Sequence, residues 1–305
     1  MDRRNLMKAG LCCLGGAWVL SATGLASSDT KLEIRTNPDL KKNTFPLKLQ
    51  PFWASTYQSR LYFLGSMLER LGKDTTLEIW QAAYKAPDDG LMDKILTGTW
   101  LPYEAEKPGP AVDELLEAHF AEPVEGVSKD DARKLVEQDH FISLAKKKFG
   151  SLEVEKEINT YSSLHMRMDG AARLVEAMIS KLGKQGELAA YDIIRAARVA
   201  GAGEPREAAD VIKEWAGFVN SKERNAFTAG LEEELVKATQ TEVIFHVKAC
   251  EWARYFTERH PAVSYLVSCS TDDAPLQIIN DSLRMQRTST IMEGGKLCDF
   301  RIYTV

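Results

Sequence analysis

The hydrophobic period of this chain changes once, near Thr241, and that change limits what it can fold into. Before it, apolar residues recur three and four positions apart. In TYQSRLYFLGSMLERLGKD, Leu61, Leu64, Met67, Leu68 and Leu71 form one stripe of a helix. TTLEIWQAAYKAP continues as a second helix, stopped by Pro87 and the turn Asp88-Asp89-Gly90. After Thr241 the pattern becomes strand-like: TEVIFHV alternates before turning helical near Ala249, and SYLVSC reads as a strand. LRMQRTSTIME and KLCDFRIYTV read as two strands joined at Gly294-Gly295, a pair suited to a two-residue turn. The expected fold is α+β. Its N-terminal two-thirds is helical, and a small C-terminal antiparallel sheet ends in a β-hairpin.

Between these landmarks, Pro102, Pro108, Pro110 and Pro123 mark a loop around one short helix. SKDDARKLVEQDHFISLAKKKFG reads as a single helix, with Ser128 as its cap, Asp131 three residues on, and Lys146, Lys147 and Lys148 at its negative end. Pro205 starts a helix through EAADVIKEWAGFVN, and SKERNAFTAGLEEELVKATQ reads as another with Glu232, Glu233 and Glu234 on a solvated face. FLGSMLERLGKDTTLEIW and LVEAMISKLGKQGELAAY align at an offset of 111, which places Leu71 on Leu182. Either two helical hairpins are related by duplication, or LGK is a recurrent helix ending.

The first residues, MDRRNLMKAGLCCLGGAWVLSATGLASS, have the layout of an export signal. Arg3, Arg4 and Lys8 precede an apolar run from Ala9 to Leu20 and then small residues. The run is short for a membrane span. The Arg3-Arg4 pair resembles a twin-arginine signal. Cleavage is expected after Ala26 or after Gly24, the alternative being an uncleaved anchor. The expected partner is therefore the twin-arginine export machinery, and the expected location is the periplasm with no stable membrane span after cleavage. The organisation read from the sequence is a signal over 1–26, an extended lead-in over 27–50, a helical region over 51–240 and an α+β unit over 241–305. A formal net charge of -5 offers no basic footprint for nucleic acid.

Cys12 and Cys13 fall in the signal. The other three cysteines, Cys250, Cys269 and Cys298, all lie in the last 56 residues. Thiols used only as small core residues would be spread more evenly, so the clustering points to function. Three is also an odd number for an oxidising compartment. If Gly294 and Gly295 form the loop, Thr290 lies opposite Asp299, and Thr288 opposite Arg301. Thr288, Thr290, Asp299 and Arg301 then share one face, and Ile291, Cys298, Phe300 and Ile302 the other. The polar face has the groups to bind a small zwitterion or carboxylate. The plainer reading is a solvated face with a cross-strand Asp/Arg arrangement and Cys298 as a core thiol.

CEWARYF (from Cys250), CSTD (Cys269 to Asp272), RTST (Arg287 to Thr290), EGG and CDFR (Cys298 to Arg301) occur here in one order. Together they resemble the L-2-amino-thiazoline-4-carboxylic acid hydrolase family, bacterial proteins that open an aminothiazoline ring on the way to cysteine. The front half is similar only through the phrase LGK…EIWQAA. The resemblance implies a small-molecule substrate attacked at the carbon between sulfur and nitrogen. One route is a cysteine thiolate adding to that carbon, with Asp272 or Asp299 moving protons, and Arg287 or Arg301 holding a carboxylate beside Thr288 and Thr290. In another, Cys250, Cys269 and Cys298 bind a metal, with zinc the candidate ion and His246 a fourth ligand. The cysteine gaps of 19 and 29 residues contain no C-x-x-C knuckle. A third reading makes the thiols non-catalytic, in an exported metal- or redox-binding protein. No other cofactor is expected: there is no H-E-x-x-H and no P-loop, and GAG at 201–203 is too short for a dinucleotide fingerprint.

Overall fold

The computed structural model describes residues 37–105, 109–149, 151–219 and 228–305. The expected signal and the lead-in up to residue 36 lie outside them. The described residues are 59% helical and 17% strand, an α+β fold in which helices dominate and an antiparallel four-stranded sheet lies at the C-terminus. No helix among the described residues is long and apolar enough to cross a membrane. The fold divides into two units. Unit 1 comprises Phe45–Ile158 and Ser162–Ala197; unit 2 contains Asn159–Tyr161, Arg198–Val305 and the described residues up to Thr44.

Unit 1 is built from β1 (Thr44–Lys48), α1 (Leu49–Leu71), α2 (Lys73–Lys85), α3 (Leu91–Leu96), β2 (Leu101–Pro102), α4 (Val112–Phe120), α5 (Lys129–Val136), α6 (His140–Lys148), β3 (Val154–Asn159), α7 (Thr160–Leu182) and α8 (Lys184–Ala200). The strands form a small sheet in the order β1-β3-β2. The stripe read from the sequence is the core: Leu61, Leu64, Met67 and Leu68 of α1 are fully buried with Tyr57, Ile79 and Trp80. Ser128 caps α5 through the Asp131 amide.

The single helix expected from Ser128 onward is two, broken at Glu137–Asp139. Asp139 restarts the chain as α6 by accepting from the Phe141 and Ile142 amides. Its other oxygen takes Arg60 Nε at 2.7 Å. Gly170 is required there for space: a Cβ would lie 2.0 Å from Asp139 Oδ2. The 111-residue echo extends to element boundaries. Leu49 and Thr160 begin α1 and α7, Leu71 and Leu182 end them, and Lys73 and Lys184 begin the next helices. The linking Gly72 and Gly183 both have positive φ, 74° and 57°, a region open to glycine at little cost.

Unit 2 continues with α9 (Ala208–Val219), β4 (Leu231–Ala238), β5 (Glu242–Cys250), α10 (Glu251–Arg259), α11 (Ser264–Ser268), α12 (Ala274–Ile279), β6 (Leu283–Gln286) and β7 (Cys298–Thr304). The antiparallel sheet runs β4-β5-β7-β6. Alternation gives β5 a buried face of Val243, Phe245, Val247 and Ala249. In β7, Cys298, Phe300 and Ile302 lie opposite Val247, Phe245 and Val243. Phe245 stacks on Phe300 at 4.9 Å and on Trp215 of α9 at 5.8 Å, so α9 covers this face.

Three local expectations are corrected. LEEELVKA forms β4, not part of a helix, because it pairs along β5; the start of that expected helix, 221–227, lies outside the described residues. Glu232 and Glu234 bind Asn37 and Lys248. SYLVSC is the short helix α11 and its following turn, since a brief apolar run has no period to separate strand from helix. The hairpin loop is not Gly294-Gly295. It extends from Arg287 to Leu297, and Gln286, not Thr288, lies opposite Arg301. Asp299 takes the Thr288 and Ser289 amides out of the ladder at 2.8 and 2.6 Å, and Thr290 caps a 3-10 turn over Ile291–Glu293. Gly294 follows with φ 88°, the left-handed geometry the turn ending requires.

Candidate functional site

The end of β5, the turn after α11, the loop after β6 and the start of β7 bring together Cys250, Cys269, Asp272, Arg287 and Cys298. Asp272 is the centre. Arg287 Nη1 donates to its Oδ2 at 2.9 Å, and Arg198 Nη1 to its Oδ1 at 3.3 Å. All three side chains are at most 3% exposed. Arg287 also reaches Cys269 O at 3.3 Å and Tyr265 Oη at 3.5 Å, and lies 5.0 Å over the Phe300 ring. Arg198 donates a second bond to Ser268 O at 2.9 Å, while its buried Nε has no hydrogen-bond partner among the described residues. The fully buried Thr271 hydroxyl, next to Asp272 in sequence, likewise has none among the described residues.

Burial pushes the Asp272 carboxyl up to about 7, against the downward pull of Arg287 and Arg198. Burial lowers Arg198, with Asp272 pulling it back up. The three thiols differ. Cys250 is raised well above its usual value by burial and then by Cys298, and its sulfur accepts from the Ala253 amide at 3.4 Å as the cap of α10. Cys298 is raised by burial to about 12, and its sulfur accepts from the Ile291 amide at 3.3 Å. Cys269 is raised by burial too, but Arg287 is the strongest charge acting on it and favours its thiolate, with Arg198 helping. Its thiol lies 3.6 Å from Ser268 Oγ. All three cysteines are free.

The remaining predicted residues lie elsewhere. Asp299 and Arg301 alternate with Cys298 and Phe300 and so take the opposite sheet face. Arg301 is exposed and binds Glu242 at 2.8 Å. Asp299 clasps the Thr288 hydroxyl and two loop amides, and Thr288's bond holds its carboxyl low despite the upward effect of burial. Thr290 is buried as a turn cap. Thus Asp299, Thr288 and Thr290 shape the loop that delivers Arg287. His246 faces Glu234 at 4.0 Å and lies opposite Asp299 in the strand ladder. The three sulfurs and His246 form no group with all ligand atoms within 4.8 Å of one another; the group of that kind among the described residues is in unit 1. This spread does not fit one shared zinc.

Arg198 was not singled out by the sequence reading. Its signal is an arginine four residues after buried Ile194, on the apolar stripe with Ile193 and Ala197. Tyr265 and Ser268, from a run read as strand, had no comparable signal.

The fold and this constellation define an α+β protein with a buried carboxylate between two guanidiniums, beside thiols. Residues 165–302 match the family L-2-amino-thiazoline-4-carboxylic acid hydrolase, as the resemblance of the C-terminal motifs implies, and all the residues of this constellation fall inside the match. That match supports a hydrolase-like function. No curated protein and no solved structure matches the chain.

Proposed function

We propose that the protein is a hydrolase that opens a cyclic amidine of the aminothiazoline-carboxylate type at the carbon between nitrogen and sulfur, using Cys269 as nucleophile. The observation that carries this reading is the buried Asp272 carboxylate held by Arg287 and Arg198, with Cys269 beside them under the influence of both guanidiniums. A buried thiol is a poor nucleophile until its anion is stabilised. Arg287 and Arg198 supply that stabilisation, and Asp272, titrating near neutrality, accepts the proton.

The Cys269 sulfur adds to the ring carbon, and the ring carbon–sulfur bond breaks. The departing sulfur takes the proton from Asp272 and becomes the new thiol. Water then adds to the enzyme-bound carbon, giving one proton to the former ring nitrogen and the other to Asp272; the carbon–sulfur bond to Cys269 breaks, and Asp272 returns its proton to the departing thiolate. The product is a carbamoyl group on the former ring nitrogen. Arg198 Nε and Thr271 Oγ1, buried without partners among the described residues, are the polar atoms left for the substrate. Cys250 and Cys298 shape the apolar wall, and Asp299 acts at a distance through the loop it clasps. In this reading the enzyme works outside the cytoplasm, carried there by the twin-arginine-like signal.

The test is release of new thiol from L-2-amino-thiazoline-4-carboxylate by the purified full chain, together with mass spectrometry of the trapped protein. Thiol release and an adduct on the peptide carrying Cys269 are expected. A folded sample that releases no thiol would sink the hydrolase reading; turnover that survives Cys269→Ser would sink the covalent route.

A further inference from the structure

A second set of ligand-bearing side chains lies within unit 1. Asp88 and Asp89 belong to the turn between α2 and α3, and His165 projects from α7. One ligand atom from each lies within 4.8 Å of the other two. His165 Nε2 is 3.2 Å from Asp88 Oδ1. Two ligands bound about 2.0–2.2 Å from one ion are themselves about 3.0–3.5 Å apart, so this spacing suits a shared coordination sphere.

The surroundings hold these groups as ligands are held. His165 is completely buried. Its Nδ1 faces Asp169 Oδ1 at 3.5 Å, and Asp169 Oδ2 takes Arg173 Nε at 2.7 Å. Arg173 is tied in turn to Ala86 O at 3.1 Å. A carboxylate faces each ring nitrogen. A metal ion on Nε2 would leave Nδ1–H directed at Asp169, the arrangement by which a carboxylate behind a ligating histidine orients its ring. Without a metal, a proton on Nε2 donated to Asp88 accounts for the 3.2 Å contact.

The two carboxylates are aimed by backbone amides. Asp88 Oδ2 accepts from Gly90 and Met92 at 2.9 and 3.0 Å, which leaves Oδ1 turned to His165. Asp89 Oδ1 accepts from Leu91 at 3.1 Å. Asp88 also lines a cleft of about 640 Å³ shared with Tyr84, Lys85 and His140. Three protein ligands beside such a space leave coordination positions for water or a small anion.

We infer that Asp88, Asp89 and His165 bind a divalent cation of the manganese, iron or zinc class, with Asp169 as the positioning residue behind the histidine. The mixed imidazole and carboxylate set favours these ions over calcium, which prefers oxygen alone. The site is independent of the thiols and of the hydrolase reading.

Mn2+ is the suitable probe, because it binds oxygen and imidazole in preference to thiols. The full chain is titrated with Mn2+ and followed by electron paramagnetic resonance. The expected result is one bound ion per chain, with a nitrogen coupling from one imidazole. Asp89→Asn, at an exposed position, weakens binding by at least about tenfold, and Asp169→Asn by about 10- to 100-fold. Cys269→Ser leaves binding unchanged. Any one of three results overturns the inference: no binding at millimolar Mn2+, binding unchanged in Asp89→Asn, or bound Mn2+ without nitrogen coupling. In the first case, nitrogen NMR showing Nε2 protonated would identify that proton as the bridge to Asp88.

Discussion

Two buried arginine–aspartate arrangements, one in each unit, use the same chemistry to opposite ends. In unit 1, Arg60 and Asp139 are 1–2% exposed and 2.7 Å apart. Both Asp139 oxygens are committed, one to two amides at the start of α6 and the other to Arg60 and the Tyr84 hydroxyl at 3.3 Å. Arg60 Nη2 also bonds to Arg167 O at 2.7 Å. In unit 2, among the described residues, Asp272 has two guanidiniums and no amide donor, Arg198 Nε is unsatisfied, and a thiol stands beside them. A buried charge pair that is fully hydrogen-bonded locks structure. One that leaves polar atoms open keeps capacity for a ligand, at a cost in stability of about 1–3 kcal/mol per unsatisfied group.

Substitutions can break that contrast. The largest effect is expected for Cys269→Ser, which lowers thiol release by at least about 10³-fold while thermal unfolding stays near wild type. Asp139→Ala is next. It strands Arg60 and uncaps α6, and costs about 3–5 kcal/mol in denaturant unfolding, while turnover per folded molecule is preserved. If Asp139→Ala removed turnover without lowering stability, the structural role assigned to the unit 1 pair would fail.

Asp272→Asn sharpens the same comparison through pH. In wild type, turnover rises as Asp272 ionises through about 7; in the asparagine variant that limb disappears and the rate drops about 10²–10⁴-fold. Stability has the opposite sign. A carboxyl raised above its unfolded value near 3.8 favours the fold fully below that pH, and the contribution fades as pH rises through about 7. Unfolding free energy measured from pH 4 to 8 should therefore fall more steeply in wild type than in Asp272→Asn. Asp299→Ala is expected to cost about 1–3 kcal/mol and to raise KM by loosening the Arg287 loop. The smallest effect belongs to Thr271→Val: a several-fold rise in KM with stability unchanged or higher, because an unsatisfied hydroxyl is replaced by a methyl of similar size. An unchanged KM would mean that Thr271 does not touch substrate.

Much of this was readable from one dimension because it rests on local rules. The α1 stripe from Leu61 to Leu68, the Ser128 cap and the alternation of β5 depend on neighbours three, four or two residues away. The clustering of Cys250, Cys269 and Cys298 in the last 56 residues is matched by their approach in the folded chain. The hairpin register was not legible, because Asp299 diverts the amides of residues eleven and ten positions earlier from the ladder. Face alternation correctly separated Cys298 from Asp299 and Arg301, but the residues expected opposite them belonged to a loop. Arg198 was missed because its partner Asp272 lies 74 positions away.

By itself, then, the sequence determined the helical front, the C-terminal sheet, the thiol-bearing region and its family likeness, all carried by periodicity and short motifs. Only the tertiary structure decided which thiol faces guanidiniums, that Asp299 is a clasp, and that Asp272 is shared by two arginines. Those facts depend on charges meeting across long separations in a dry interior, where burial sets the energy of each proton and each unpaired donor.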